Sequence, residues 1–256
     1  MDEKKIINEI IPRKLKEIEE KENIRILHCV ESGSRAWGFP SPDSDFDVRF
    51  IYVREKEFYL RLDKTKDYIE WQLYDTLDIN GWDIKKALTL LHSSNPTLFE
   101  WNNSPIVYKT TKEWQEISKV ITHYFKQKAG LYHYLNTARN HYKEYLQGDS
   151  VKYKKYFYCL RPILACRYIL DKKSPPPMLF EKLKDEYLTG EIKQEVEKLL
   201  ELKMATPELL NGPKIEIINE YLLYSIKEIE LKVKEYKQTE SPSFEELNEI
   251  FLSLLN

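Results

Sequence analysis

Apolar residues recur along this chain with two different periods. Between positions 2 and 21, Ile6, Ile7, Ile10, Leu15 and Ile18 gather on one side of a 3.6-residue turn, which predicts an amphipathic helix. Ile24-Arg25-Ile26-Leu27-His28-Cys29-Val30 is a short apolar run rich in branched residues, and Phe46, Val48 and Phe50 alternate with polar positions. Both patterns predict strands, over 24–31 and 45–54. Further strands are expected near 68–73 and 75–79 and at Ile106-Val107-Tyr108, with helices over 84–93 and from Asn95-Pro96 through Trp101. Beyond Thr111 glycine is scarce and the helical period dominates, through 112–127, 129–147, 150–171, 178–187, 189–202, 207–236 and 243–254. Gly148-Asp149, the run Lys173-Ser174-Pro175-Pro176-Pro177, Thr206-Pro207 and Ser241-Pro242 interrupt it. The pattern predicts an α+β protein, with a small mixed sheet in a core over 1–110 and a mainly helical region over 111–256 packed on a shared cleft.

The junction between the first two strands carries the candidate chemistry. Gly33-Ser34 ends the first apolar run, and glycine there permits a positive φ and a close backbone approach to a phosphate, with the serine hydroxyl as a donor. Two prolines, two serines and an aspartate over 39–44 form a turn. Asp45 and Asp47 then stand two positions apart, so on a strand both carboxylates project from one face while Phe46, Val48 and Phe50 turn to the other. Hard oxygen donors of this kind suit Mg²⁺ or Mn²⁺ bridging to substrate phosphates. Asp-x-Asp and Gly-Ser are each common in surface turns; their order, their spacing and the strand on either side make the combination specific.

Gly33-Ser34 followed by Asp45-x-Asp47 resembles the signature of the DNA polymerase β type nucleotidyltransferase superfamily. The longer stretch, Gly33 through Gly38 and Asp43 through Arg49, is similar to its RNA-repair-associated, RlaP-like branch. The similarity continues through Asp78-Ile79, Gly81-Trp82-Asp83-Ile84, Lys86-Ala87-Leu88, Asn95-Pro96, Glu100-Trp101, Lys155-Tyr156 and Leu160-Arg161-Pro162. The resemblance implies a polymerase β-like catalytic core followed by helices. The implied activity is transfer of a nucleoside monophosphate from an NTP such as ATP to an acceptor hydroxyl, with release of pyrophosphate. An RNA or tRNA end is one such acceptor, and related folds also serve proteins and small molecules.

Such sites carry a third carboxylate, for which Glu70, Asp75, Asp78 and Asp83 are candidates. Asp78 is chosen because Thr76-Leu77-Asp78-Ile79 reads as a strand; Asp83 is the runner-up and can equally cap the helix that starts at Ile84. The expected catalytic and metal-holding set is therefore Asp45, Asp47 and Asp78. The expected substrate contacts are Gly33, Ser34, Arg35, Arg49, Lys155 and Arg161. Arg35 can clamp a triphosphate oxygen or pair with Glu31 or Asp43. Arg49 continues the alternation of Asp45 and Asp47 and can orient a carboxylate. Lys155 and Arg161 lie in a stretch where cations interleave with Tyr153, Tyr156, Phe157 and Tyr158, an arrangement equally suited to a core-packed amphipathic helix. Glu100 is read as a structural hydrogen-bonding group.

Composition narrows the picture modestly. A formal net charge of −2 with 32% charged residues neither demands a nucleic-acid partner nor excludes one. Cys29, Cys159 and Cys166 sit in apolar contexts and are expected to be buried reduced thiols. Met1-Asp2-Glu3-Lys4-Lys5 opens no secretory apolar run and no stretch has transmembrane length, so a cytoplasmic protein without membrane attachment is expected. His92, His133 and His141 show no ligand spacing, and the 18 tyrosines are read as packing aromatics. Two function classes remain: a metal-dependent nucleotidyltransferase, and a non-catalytic nucleotide- or RNA-binding module of the same fold. Retention of Asp45, Asp47 and a third acid favours chemistry.

Overall fold

A computed structural model describes residues 3–74, 76–207, 211–236 and 242–255. The chain opens with α1 (Glu3–Lys5), a π-helical segment (Ile6–Ile10) and α2 (Ile11–Glu22), whose apolar stripe of Ile11, Leu15 and Ile18 is buried. Asn23 closes α2 in the left-handed region and leads into β1 (Ile24–Glu31), the short α3 (Gly33–Trp37) and β2 (Phe46–Arg54). After α4 (Lys56–Tyr59) come β3 (Tyr68–Tyr74), β4 (Leu77–Asp83), α5 (Ile84–His92), α6 (Pro96–Asn102) and β5 (Val107–Thr110). The remainder is α7 (Lys112–Ile121), α8 (Gln127–Tyr145), β6 (Ser150–Lys152), α9 (Lys154–Lys172), α10 (Phe180–Tyr187), α11 (Gly190–Ala205), β7 (Asn211–Pro213), α12 (Glu216–Glu235) and α13 (Glu245–Leu254). The protein is thus α+β, with 62% of the described residues helical. Among the described residues no helix is long and apolar enough to cross a membrane.

Five strands form one mixed sheet in the order β3-β4-β2-β1-β5, in which β2 and β4 run parallel and the other neighbours antiparallel. Alternation divides the sheet's side chains between two apolar clusters. Phe46, Val48, Phe50 and Tyr52 face α2 together with Ile26, Cys29 and Ile79. Leu27, Val30, Ile51 and Val53 face α5, α6 and α7. A bulge between Ile26 and His28 shifts β1 by one residue, which is why Ile26 and Cys29, three positions apart, serve one cluster and Leu27 and Val30 the other. On β2 the face that carries Ile51 and Val53 carries Asp47 and Arg49 nearer the strand start, so one surface passes from core to open polar site along a single strand.

A third cluster fills the helical region around α9, with α8, α10, α11 and α12, and receives Phe39 from the turn that joins α3 to β2. Beyond residue 110, α7 and Leu247 of α13 pack with the sheet. The predicted helices over 150–171 and 207–236 are each shortened at the front, where Ser150–Lys152 and Asn211–Pro213 pair as a two-stranded ribbon. Cys29, Cys159 and Cys166 are free and buried.

His28 is packed inside the sheet layer, stacked on Trp114 with ring centroids 4.9 Å apart, and burial holds its pKa down from 6.5 to about 4. A neutral imidazole in the folded state and a protonated one in the unfolded state make stability fall as pH drops from 6.5 towards 4. The contribution of this one residue is about 3 kcal/mol at ~1.36 kcal/mol per pH unit. Urea denaturation at pH 7.5 and pH 4.5 measures it, and His28→Gln is expected to flatten that part of the pH dependence.

Candidate active site

Asp47 is held through its carbonyl, its N–H and one carboxylate oxygen. Its carbonyl accepts the Ser32 N–H at 2.8 Å and its own N–H donates to Glu31 Oε1 at 2.7 Å. Its Oδ1 accepts from Arg49 Nη2 at 2.7 Å. The other carboxylate oxygen lies against Gly33: a Cβ built there would sit 2.0 Å from Asp47 Oδ2, and Gly33 has φ +58°. Glycine at this position is thus required both by the backbone conformation and by the closeness of the carboxylate.

Parallel pairing of β2 with β4 puts Asp47 opposite Asp78. The guanidinium of Arg49 joins them, with Nη2 2.8 Å from Asp78 Oδ2 and Nη1 3.0 Å from the Asp78 carbonyl. Asp45 is exposed just ahead of β2, one strand period from Asp47. Among the described residues no three His, Cys, Asp or Glu side chains converge closely enough to hold a metal ion. The donor set is nonetheless of the hard-oxygen kind, and a cation shared by Asp47 and Asp78 would take over the charge that Arg49 now supplies.

The runner-up acid, Asp83, is buried at the opposite end of β4, where it caps α5 through the Lys85 N–H at 2.8 Å and accepts the Tyr59 hydroxyl at 2.9 Å; burial raises its pKa. Glu70 pairs with Asn80 across the β3–β4 ladder, and Asp75 lies outside the described residues. Ser34 is buried and its hydroxyl donates to Ser44 Oγ at 3.1 Å, tying the start of α3 to the turn before Asp45. Arg35 spans the carbonyls of Asp45 (3.1 Å) and Ser44 (2.9 Å), pairs with Glu3 (2.6 Å) rather than Glu31, and stacks over Phe46 at 3.8 Å. It braces the aspartate turn.

Lys155 and Arg161 both lie on α9, and of the two Arg161 reaches α3, through Trp37. The Lys155 ammonium lies 3.7 Å from the Tyr145 ring centroid, and burial lowers its pKa. Arg161 is nearly inaccessible: it pairs with Glu100 at 2.8 Å and lies 4.8 Å over the ring of Trp37, the last residue of α3. Glu100 also accepts the Tyr134 hydroxyl at 2.8 Å. Arg161, an expected phosphate contact, is thus enclosed by the Glu100 ion pair, which joins α9 to α6, and by the Trp37 ring at the end of α3, and Glu100 is held in hydrogen bonds to Arg161 and Tyr134.

One residue absent from the expected set supports the site from beneath. Glu31, the last residue of β1, is fully buried, and burial pushes its carboxyl up to about 7. It accepts the Asp47 N–H and the Tyr108 hydroxyl. An acid closing an apolar strand immediately before Ser32-Gly33 was the signal available in the sequence.

A mixed sheet carrying two carboxylates in register beside a glycine-serine turn defines the class of polymerase β-like nucleotidyltransferases. The chain belongs to the RNA repair pathway DNA polymerase beta family, which it matches over residues 7–253. The protein YcgL of Bacillus subtilis (strain 168), described as uncharacterized, is 46% identical over 243 residues, which cover 93% of each chain. A crystal structure of a nucleotidyltransferase-like protein from Exiguobacterium sibiricum 255-15 aligns with 87% of this chain and 79% of that one, at 13% identity and a TM-score of 0.31, too low to add to the assignment.

Gly33→Ala and Gly190→Ala separate conformation from contact. Gly190 has φ +61° with nothing within 4 Å of a built Cβ, so alanine there costs only the left-handed strain of about 1–2 kcal/mol. Gly33→Ala adds the collision with Asp47 and is expected to lose more stability than Gly190→Ala in urea denaturation.

Proposed function

We propose that the protein is a metal-dependent nucleotidyltransferase that moves NMP from an NTP to an acceptor hydroxyl, an RNA end being the acceptor class suggested by its family, and releases pyrophosphate. The observation that carries this reading is the parallel register of Asp47 and Asp78 beside Gly33, with both carboxylates drawn to one positive charge. Asp45, Asp47 and Asp78 would hold Mg²⁺ or Mn²⁺, which supplies charge neutralisation at the phosphates and lowers the pKa of an attacking hydroxyl. The protein's own residues do the rest. The Gly33-Ser34 turn receives the triphosphate, and the Glu3–Arg35–Ser44 brace keeps Asp45 facing it. Arg49 offsets the mutual repulsion of the two carboxylates, a role that a bound cation would take over. Lys155 remains a candidate triphosphate contact, whereas Arg161 acts through Trp37 to fix the turn.

Phosphoryl transfer needs positioning and charge more than covalent catalysis, which matches a site made of carboxylates, backbone and one arginine. Incubation with each labelled NTP, Mg²⁺ or Mn²⁺, and an RNA or cell-extract fraction tests the proposal. Wild type is expected to transfer label and release pyrophosphate only with metal. Asp47→Ala should lower the rate at least ~10³-fold, as for loss of a principal electrostatic group, while melting as a folded protein. A wild type that binds NTP but transfers to no fraction would instead be the non-catalytic module.

A further inference from the structure

Glu31 reaches the site from beneath. After the β1 bulge, Cys29 faces α2, and alternation turns Glu31 to that same side, where Tyr108 of β5 packs. Asp47 and Arg49 project from the opposite face of β2 with Ile51 and Val53. A carboxylate so placed is not one of the groups presented to substrate. Its hydrogen bonds go to backbone and to an edge strand: Oε1 accepts the Asp47 N–H at 2.7 Å, and Oε2 accepts the Tyr108 hydroxyl. The regular β1–β2 ladder ends with Glu31 opposite Val48, so the Asp47 N–H, one residue beyond, takes this side chain as its partner. The Glu31 main chain is anchored as firmly, its N–H donating to the Ile106 carbonyl at 3.0 Å and its carbonyl accepting Ser104 Oγ at 2.6 Å.

We propose that Glu31, clamped by Tyr108, is a positioning residue that fixes the backbone of Asp47 so that its carboxylate stands in register with Asp78 for a divalent cation. The proposal rests on the nucleotidyltransferase reading for its catalytic consequence, and on geometry alone for its effect on cation binding. The path from Glu31 to the metal face runs through one amide. Asp47's carboxylate already has Gly33 on one side and Arg49 on the other, so a small rotation of the Asp47 backbone carries the carboxylate into the glycine or away from Asp78.

The test uses the full chain and four proteins: wild type, Glu31→Gln, Glu31→Ala and Tyr108→Phe. Free Mn²⁺ is titrated by electron paramagnetic resonance, transfer kinetics are measured with the preferred NTP, and melting is followed in parallel. Glu31→Ala is expected to weaken Mn²⁺ binding about 10–100-fold, the usual range for an outer-shell partner, and to lower kcat with little change in KM for NTP. Glu31→Gln keeps a carbonyl for the Asp47 N–H and offers its amide N–H to the Tyr108 oxygen, so it should recover most of both losses. Tyr108→Phe should shift Mn²⁺ binding in the same direction as Glu31→Ala by a smaller factor, and it carries the test if Glu31→Ala does not fold. A Glu31→Ala protein that melts lower yet binds Mn²⁺ as wild type does would show a structural role only and overturn the proposal. So would a Glu31→Gln protein as impaired as Glu31→Ala, or a wild type that binds no Mn²⁺. A wild type that binds Mn²⁺ with this pattern but transfers nothing would overturn the catalytic reading and leave the positioning role standing.

Discussion

The fixation of Asp47 is the constraint on which the rest of the site depends. Four different groups, from Ser32, Glu31, Arg49 and Gly33, meet its carbonyl, amide and two carboxylate oxygens. The Ser32 N–H bond is the ordinary kind, worth about 1 kcal/mol net, the charge-assisted Arg49 bond is worth about 1.5–3 kcal/mol, and Gly33 contributes only close approach. Together they leave the carboxylate one orientation, and that orientation faces Asp78 on a neighbouring parallel strand. Preorganisation of this kind is what a phosphoryl-transfer site needs, because fixed charges near developing charge act without a reorganisation cost.

The helical region holds the same segment from the other side. Phe39 inserts among Phe157 and Phe180 at centroid distances of 4.9 and 5.4 Å, and buried Lys203 of α11 donates to the Phe39 carbonyl and to Ser41. Trp37 lies under Arg161, which is itself held by Glu100 of α6. The turn between the glycine and the two aspartates is thus a joint between sheet and helices. Its proline- and serine-rich sequence is a turn in composition, yet its position is set by residues more than a hundred places away. α13 likewise returns from the end of the chain to the sheet cluster.

What the sequence made legible was local. Alternation over 46–52 places Asp47 and Arg49 on one face; five of the strands and most helices follow from periodicity within a residue or a few of their ends. Local pattern ranks Asp78 above Asp83, since only Asp78 falls in the expected strand over 75–79; the observed β4 runs on to Asp83, and its parallel register with β2 separates an acid opposite Asp47 from one that caps α5. What stayed hidden depends on long-range partners. Glu31 reads as an ordinary strand-end acid until Tyr108, 77 residues on, is seen against it. Arg161 reads as an available cation until Glu100, 61 residues before it, and Trp37 enclose it. The ribbon of Ser150–Lys152 with Asn211–Pro213 is two three-residue pieces, too short for any period to register.

The account turns on whether Asp45, Asp47 and Asp78 form a cation and phosphate site in which Arg49 is the stand-in charge. A crystal grown with Mn²⁺ and a non-hydrolysable NTP analogue, measured at the manganese edge, addresses that directly. The account predicts an anomalous peak between the Asp47 and Asp78 carboxylates, with Arg49 released from at least one of them and the analogue's phosphates over Gly33-Ser34. Nucleotide density elsewhere on the molecule, with no manganese peak and Arg49 still bridging the two aspartates, would contradict it.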